Sequence, residues 1–118
     1  MPGLEKSPLE LVARFEELVG LVPEATARPM FGYRSLVTGG NMFMSLFDDY
    51  LVLRLSEQDR ANFLDEVGGK PFEPMPGRPM KHYVVVPGDV TNGPQVEKWV
   101  MRSYAFARQL PAKGPKRR

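Results

Sequence analysis

No cysteine occurs in the 118 residues, and there is a single histidine, His82, and a single tryptophan, Trp99. The missing cysteine removes disulfides, thiolate nucleophiles and any cysteine-held zinc or iron–sulfur centre, and it fits a reducing, cytoplasmic setting. A Cys-His dyad is therefore impossible. A Ser-His-Asp triad would have to use His82, and no G-x-S-x-G elbow exists. His82 is read instead as a packed or half-exposed polar group on a sheet face. Gly39-Gly40 lacks the Lys-Ser/Thr and the following helix of a phosphate loop. Carboxylates do not converge in the pattern, and Asp48-Asp49 is read as a turn former rather than a cation site. No catalytic residue, no metal ligand and no cofactor is expected. No apolar run reaches membrane-spanning length, and no basic segment leads into an apolar one at the N-terminus. The expectation is a soluble cytoplasmic protein with no membrane partner.

The formal net charge is +2, but the excess is local. Lys113, Lys116, Arg117 and Arg118 fall in the last six positions; taking those four from the 16 basic residues leaves 12 against 14 acids, a net of −2 for residues 1–112. The chain divides into one domain, 1–112, and a basic tail, 113–118, expected to be disordered. A nucleic-acid-associated reading would use that tail together with Lys98, Arg102 and Arg108 of the last predicted helix, where Lys98 and Arg102 stand four apart on one face. No recognition-helix motif accompanies them, so this reading is the alternative and any such contact would be weak and salt-sensitive.

What is present is a regular alternation of elements. Ser7-Pro8-Leu9-Glu10 reads as a capped helix start, and Leu11, Phe15, Leu18 and Val22, with Val12 and Val19, form its apolar stripe, with Arg14, Glu16 and Glu17 facing away. Three antiparallel strands are expected at 31–38, 42–47 and 50–55, joined by Gly39-Gly40-Asn41 and Asp48-Asp49. In the third, Leu51, Leu53 and Leu55 face the helices, while Tyr50, Val52 and Arg54 face water or a partner. Ser56 caps a second helix with Phe63, Leu64 and Val67 on its apolar side. Asn92-Gly93-Pro94 opens the last, striped by Val96, Trp99, Val100, Ser103, Ala107 and Leu110. The order α-βββ-α-ββ-α is an α+β fold: an antiparallel sheet with helices packed on one face.

Between the second helix and the last strand lies FEPMPGRPMKHYVVV, residues 72–86. Met75-Pro76-Gly77-Arg78 has the pattern of a type II turn, proline presetting φ and glycine supplying positive φ. Pro74 and Pro79 lack donors, so 70–79 forms at most a sheet edge. Residues 80–86 read as a strand with Met80, His82, Val84 and Val86 on one face. The centre of the stretch, RPM, also occurs at Arg28 to Met30.

ARPMFG (27–32), GGNMF (39–43), LRLSEQDRANF (53–63), PFEPMPGRPMKHYVVVP (71–87) and WVMRSYAFARQLP (99–111) together resemble the TfoX N-terminal domain family, also called TfoX/Sxy-like. The PFEPMPGRPM block resembles its short, stand-alone branch, and Tyr33 stands where a second glycine is common after MFG. The resemblance implies a small α+β domain of secretion-chaperone-like architecture, as a monomer or homodimer. It also implies a regulatory role, since the founding member is a competence regulator working with a transcription activator. The motif positions it carries over are Arg28, Met30, Phe31 and Gly32, then Phe72, Met75, Gly77, Arg78 and Met80. The leading expectation is a non-catalytic adaptor that binds a protein, with transcription machinery the family analogy. Its surface would be drawn from those positions with Tyr33, Glu73 and His82. A further alternative is a small-molecule binder or enzyme, with a pocket between sheet and helices lined by Tyr33, His82 and Tyr83.

Overall fold

The structure, a computed structural model, describes residues 6–112; the basic-tail residues Lys113, Lys116, Arg117 and Arg118 lie outside the described residues. The elements run α1 (Leu9–Val19), β1 (Thr26–Ala27), β2 (Ser35–Thr38), β3 (Asn41–Phe47), β4 (Tyr50–Arg54), α2 (Glu57–Glu66), β5 (Lys70–Pro71), β6 (Tyr83–Val86), α3 (Gly88–Thr91) and α4 (Val96–Arg108). The strands form one antiparallel sheet in the order β1-β2-β3-β4-β6-β5. The fold is α+β, with the helices on one face of the sheet.

That face is built as the apolar stripes require. Val12, Phe15 and Leu18 of α1, Phe63 of α2, Val90 of α3, and Val96, Trp99, Val100 and Ala107 of α4 form one buried cluster with Leu51, Leu53, Leu55, Val84 and Val86. Trp99 is fully buried and meets Phe63 edge-on at 5.1 Å between ring centroids. Ser103, also on the buried stripe, satisfies its hydroxyl by donating to the Phe43 carbonyl at 2.8 Å. Ser56 caps α2, its Oγ accepting from the Asp59 N–H at 3.1 Å.

Several expectations are corrected. Ser7 does not cap α1: Pro8 occupies the cap position, and the Ser7 hydroxyl donates instead to the Asp48 carbonyl at 2.6 Å, tying the helix start to the β3–β4 turn. Arg14 does not face away. Its guanidinium donates to the carbonyls of Thr91 (2.8 Å) and Gly93 (3.0 Å) and pairs with Glu17, joining α1 to the loop before α4. The strand expected from residue 31 begins at Ser35, because Met30 and Tyr33 close on each other in a tight turn. The short edge strand β1 and the single-turn helix α3 were not foreseen; neither is long enough to show a period. The strand expected from residue 80 begins at Tyr83, since the Tyr83 N–H donates to the Met80 carbonyl and turns the chain there. Lys70–Pro71 is the sheet edge that the prolines permit.

The largest correction concerns the second face. Val52, expected to meet water or a partner, is 1% exposed. It belongs to a separate cluster with Phe72, Tyr83 and Val85, flanked by Met42, Phe47, Tyr50 and Met80. Arg54 is half-buried, its guanidinium 5.7 Å from the Tyr83 ring centroid. The proline-rich segment thus folds back over the sheet, and Phe72 is the side chain that seals it.

Candidate functional site

Two turns frame a cleft on this second face. The first is Met30-Phe31-Gly32-Tyr33, closed by reciprocal 2.9 Å bonds between the N–H and C=O groups of Met30 and Tyr33. Both central residues have positive φ, 55° at Phe31 and 84° at Gly32. Glycine occupies this region freely, but a bulky L-residue pays for it with about 1–3 kcal/mol of strain. Phe31 is nonetheless 79% exposed, so no packing of its own ring explains the conformation. Lys6 donates to the Phe31 carbonyl at 3.1 Å and lies over the Tyr33 ring at 5.1 Å.

The second turn is Met75-Pro76-Gly77-Arg78. The Arg78 N–H donates to the Met75 carbonyl at 2.9 Å and Gly77 has φ 77°, the type II geometry expected of Pro-Gly. Glu73 has a structural part here, its Oε2 accepting from the Gly77 N–H at 2.7 Å. The Met80 N–H donates to the Phe72 carbonyl at 2.9 Å and closes the base of the excursion. Three prolines, Pro74, Pro76 and Pro79, and these bonds hold the loop in shape without regular structure.

Between the turns the cleft has a volume of about 580 Å³. Met30, Phe31, Tyr33, Met42, Leu46, Phe47, Phe72, Pro74, Met75, Met80 and Tyr83 line it, with Lys6, Gly40 and Ser45. Aromatic rings pave the floor: Phe47 lies 5.0 Å from Tyr33 and 5.3 Å from Phe72, and Phe72 lies 6.4 Å from Tyr83. The polar groups within reach are few and already engaged. The Ser45 hydroxyl bonds that of Ser35 at 2.9 Å, the Tyr83 hydroxyl donates to the Met42 carbonyl at 3.1 Å, and the Tyr33 hydroxyl donates to Asp48 at 3.4 Å. Burial raises the pKa of Tyr83, which the Arg54 charge partly opposes; burial, then Asp48 and Asp49, raises that of Tyr50. Both phenols stay protonated at neutral pH. The arrangement can hold apolar matter and offers no poised acid, base or nucleophile. Among the described residues no three acidic or histidine side chains gather as a cation site.

Of the positions singled out from sequence, Met30, Phe31, Tyr33, Phe72, Met75 and Met80 come together in this cleft. Gly32 and Gly77 shape its turns. Arg28 and Arg78 are exposed and make no ion pair among the described residues. His82 is elsewhere: its ring lies 3.4 Å from the Arg60 guanidinium of α2. Of the three residues expected to line a pocket between sheet and helices, Tyr33 and Tyr83 lie in this cleft on the opposite face and His82 does not. Burial first, then Arg54, Arg60 and Lys81, lowers the His82 pKa below 6.5 and keeps it neutral.

Lys98 and Arg102 face α2, pairing with Glu66 (3.8 Å) and Asp59 (3.2 Å) across the buried Trp99 ring, and Arg108 lies over Tyr104 at 5.4 Å. Sequence reasoning missed Lys6, Met42, Phe47 and Pro74. The available signal was Phe47 and Tyr50, two aromatics flanking the Asp48-Asp49 turn on the face that the leucines leave free.

Fold and site together define a small α+β domain with one face of its sheet closed by helices and the other open as an apolar, turn-framed cleft. The family model for the TfoX N-terminal domain matches residues 17–107, most of the chain, and the chain belongs to that family. No curated protein and no solved structure matches it. No helix among the described residues is long and apolar enough to cross a membrane.

Proposed function

We propose that this chain is a non-catalytic regulatory domain that docks a segment of another protein in the cleft between the Phe31 and Met75 turns. The observation that carries the reading is Phe31: an aromatic ring held in a left-handed turn, standing in water beside an apolar cleft. Strain of this kind persists where it serves a site. Met75, 60% exposed, lines the same cleft. A small molecule contained in the cleft would leave both tips in water, whereas a protein segment laid across it covers them. Methionine and aromatic side chains suit such contacts, and a stiff loop loses little entropy on binding. Family membership supports a transcription- or competence-related setting, as for the founding regulator. The engaged state of Lys98 and Arg102 favours this reading over nucleic-acid contact by α4.

A photo-crosslinking residue introduced in cells at position 31 or 75, and separately at the exposed Leu9 or Met101, tests it. The expected result is the same protein adduct from 31 and 75 and its absence from 9 and 101. Adducts only to a small molecule, to a second copy of the chain, or equally from all four positions would overturn the reading.

A further inference from the structure

Resting on that reading, we infer that the docked segment is acidic: an apolar anchor flanked by carboxylates, which Arg28 and Arg78 receive. The two arginines occupy the same place in the repeated RPM. Each precedes a proline and then a methionine, Met30 or Met80, that lines the cleft. The prolines restrict the backbone between arginine and methionine, so a charged residue and a cleft-lining one are held two positions apart beside each turn.

Ion pairing within the domain leaves these two available, as it does Lys70 and Lys81, but of these four only the two arginines stand in the repeated motif beside a cleft methionine. Arg14, Arg34, Lys98 and Arg102 all meet carboxylates within the domain. Arg28 and Arg78 meet none among the described residues. Glu73 accepts from the Gly77 N–H and Asp48 from the Tyr33 hydroxyl, and neither carboxylate pairs with Arg28 or Arg78. Most remaining acids lie on the helices, on the opposite side of the sheet. Neither arginine lines the cleft itself, but each stands two residues from a methionine that does, exposed and without an ion pair among the described residues, and guanidinium forks take carboxylates in paired hydrogen bonds. A basic segment gains nothing there, and an uncharged one leaves both forks unused. Charges at such a rim act chiefly on partner choice and association rate, with the apolar floor supplying the holding energy.

Selection of a random-peptide phage library on the immobilised full chain, followed by titration of the enriched peptides in synthetic form, tests this. The expected result is enrichment of peptides with large apolar residues between Asp or Glu. Their affinity should fall about fivefold for each of Arg28→Glu and Arg78→Glu, and a peptide with its acids exchanged for Lys should prefer the double variant. Apolar peptides without acid enrichment, lost on Phe31→Asn, would overturn the acidic inference and leave the docking reading standing. Basic enrichment would do the same. No enrichment, or peptides indifferent to both Phe31→Asn and Met75→Ser, would overturn both.

Discussion

The two faces of the sheet use similar side chains to opposite ends. On the helix face, Leu51, Leu53, Val84 and Val86 vanish beneath α1, α3 and α4, and the aromatic pair Phe63–Trp99 is sealed from water. On the other face, Val52 and Val85 are buried too, but their cover is one irregular loop anchored by Phe72, and beyond it the surface stays open. Regular helices close a face because an apolar stripe repeats along their whole length. A proline-stiffened loop covers only what its single large side chain reaches. The first arrangement maximises burial, and the second leaves a shaped apolar surface beside a strained aromatic tip.

The largest effect should come from the closed face. Trp99→Ala removes the core ring and is expected to cost about 3–5 kcal/mol, read as a fall in urea midpoint with loss of cooperative unfolding at warm temperatures. Retention of the wild-type midpoint would show that the helix face does not depend on this contact. Phe72→Ala should cost less, about 2–3 kcal/mol, because the loop it anchors can settle. Its signature should be regional: hydrogen exchange should quicken in 70–82 and leave α4 protected. If α4 exchanges equally fast, the faces are one cooperative unit.

Phe31→Asn should act in the other direction. Asparagine tolerates the left-handed conformation that phenylalanine resists, so the variant is expected to gain about 1 kcal/mol and to melt about 4 °C higher. A lower melting temperature would mean that Phe31 packs usefully in the free domain.

The smallest effect concerns His82. Its pKa is lowered in the folded state by burial and by neighbouring cations, so folding favours the neutral ring. The stabilisation is complete above the unfolded value near 6.5 and is lost as pH falls through the lower folded value. A slight drop in melting temperature across that window should disappear in His82→Gln. Persistence in the variant would assign it to carboxylates.

Much of the closed face can be read in advance, because it follows from periods. The stripes of α1 and α4, the alternation in β4, the Ser56 cap and the Pro-Gly turn are local patterns with local causes. The open face is harder because its decisive events are long-range. Nothing near Phe72 says that a segment with three prolines folds back over Val52, and nothing near Met80 shows that a turn at 80–83 moves it off the face of Val84. The cleft residues that repeat a motif, Met30 and Met80 among them, were visible as a motif; Lys6, Met42 and Phe47 join them only through tertiary proximity. Phe31 itself was a motif letter, and only its backbone angle and exposure show why its position matters.

The most direct test of the account is a pair of melting curves, wild type and Phe31→Asn, each with and without a saturating peptide from the library selection. The account predicts that the variant alone melts higher than the wild type, and that peptide raises only the wild type, since a ligand stabilises only the state that binds it. A variant that melts lower than the wild type and still responds to the peptide would contradict it, showing that the left-handed Phe31 serves the fold and not the docking face.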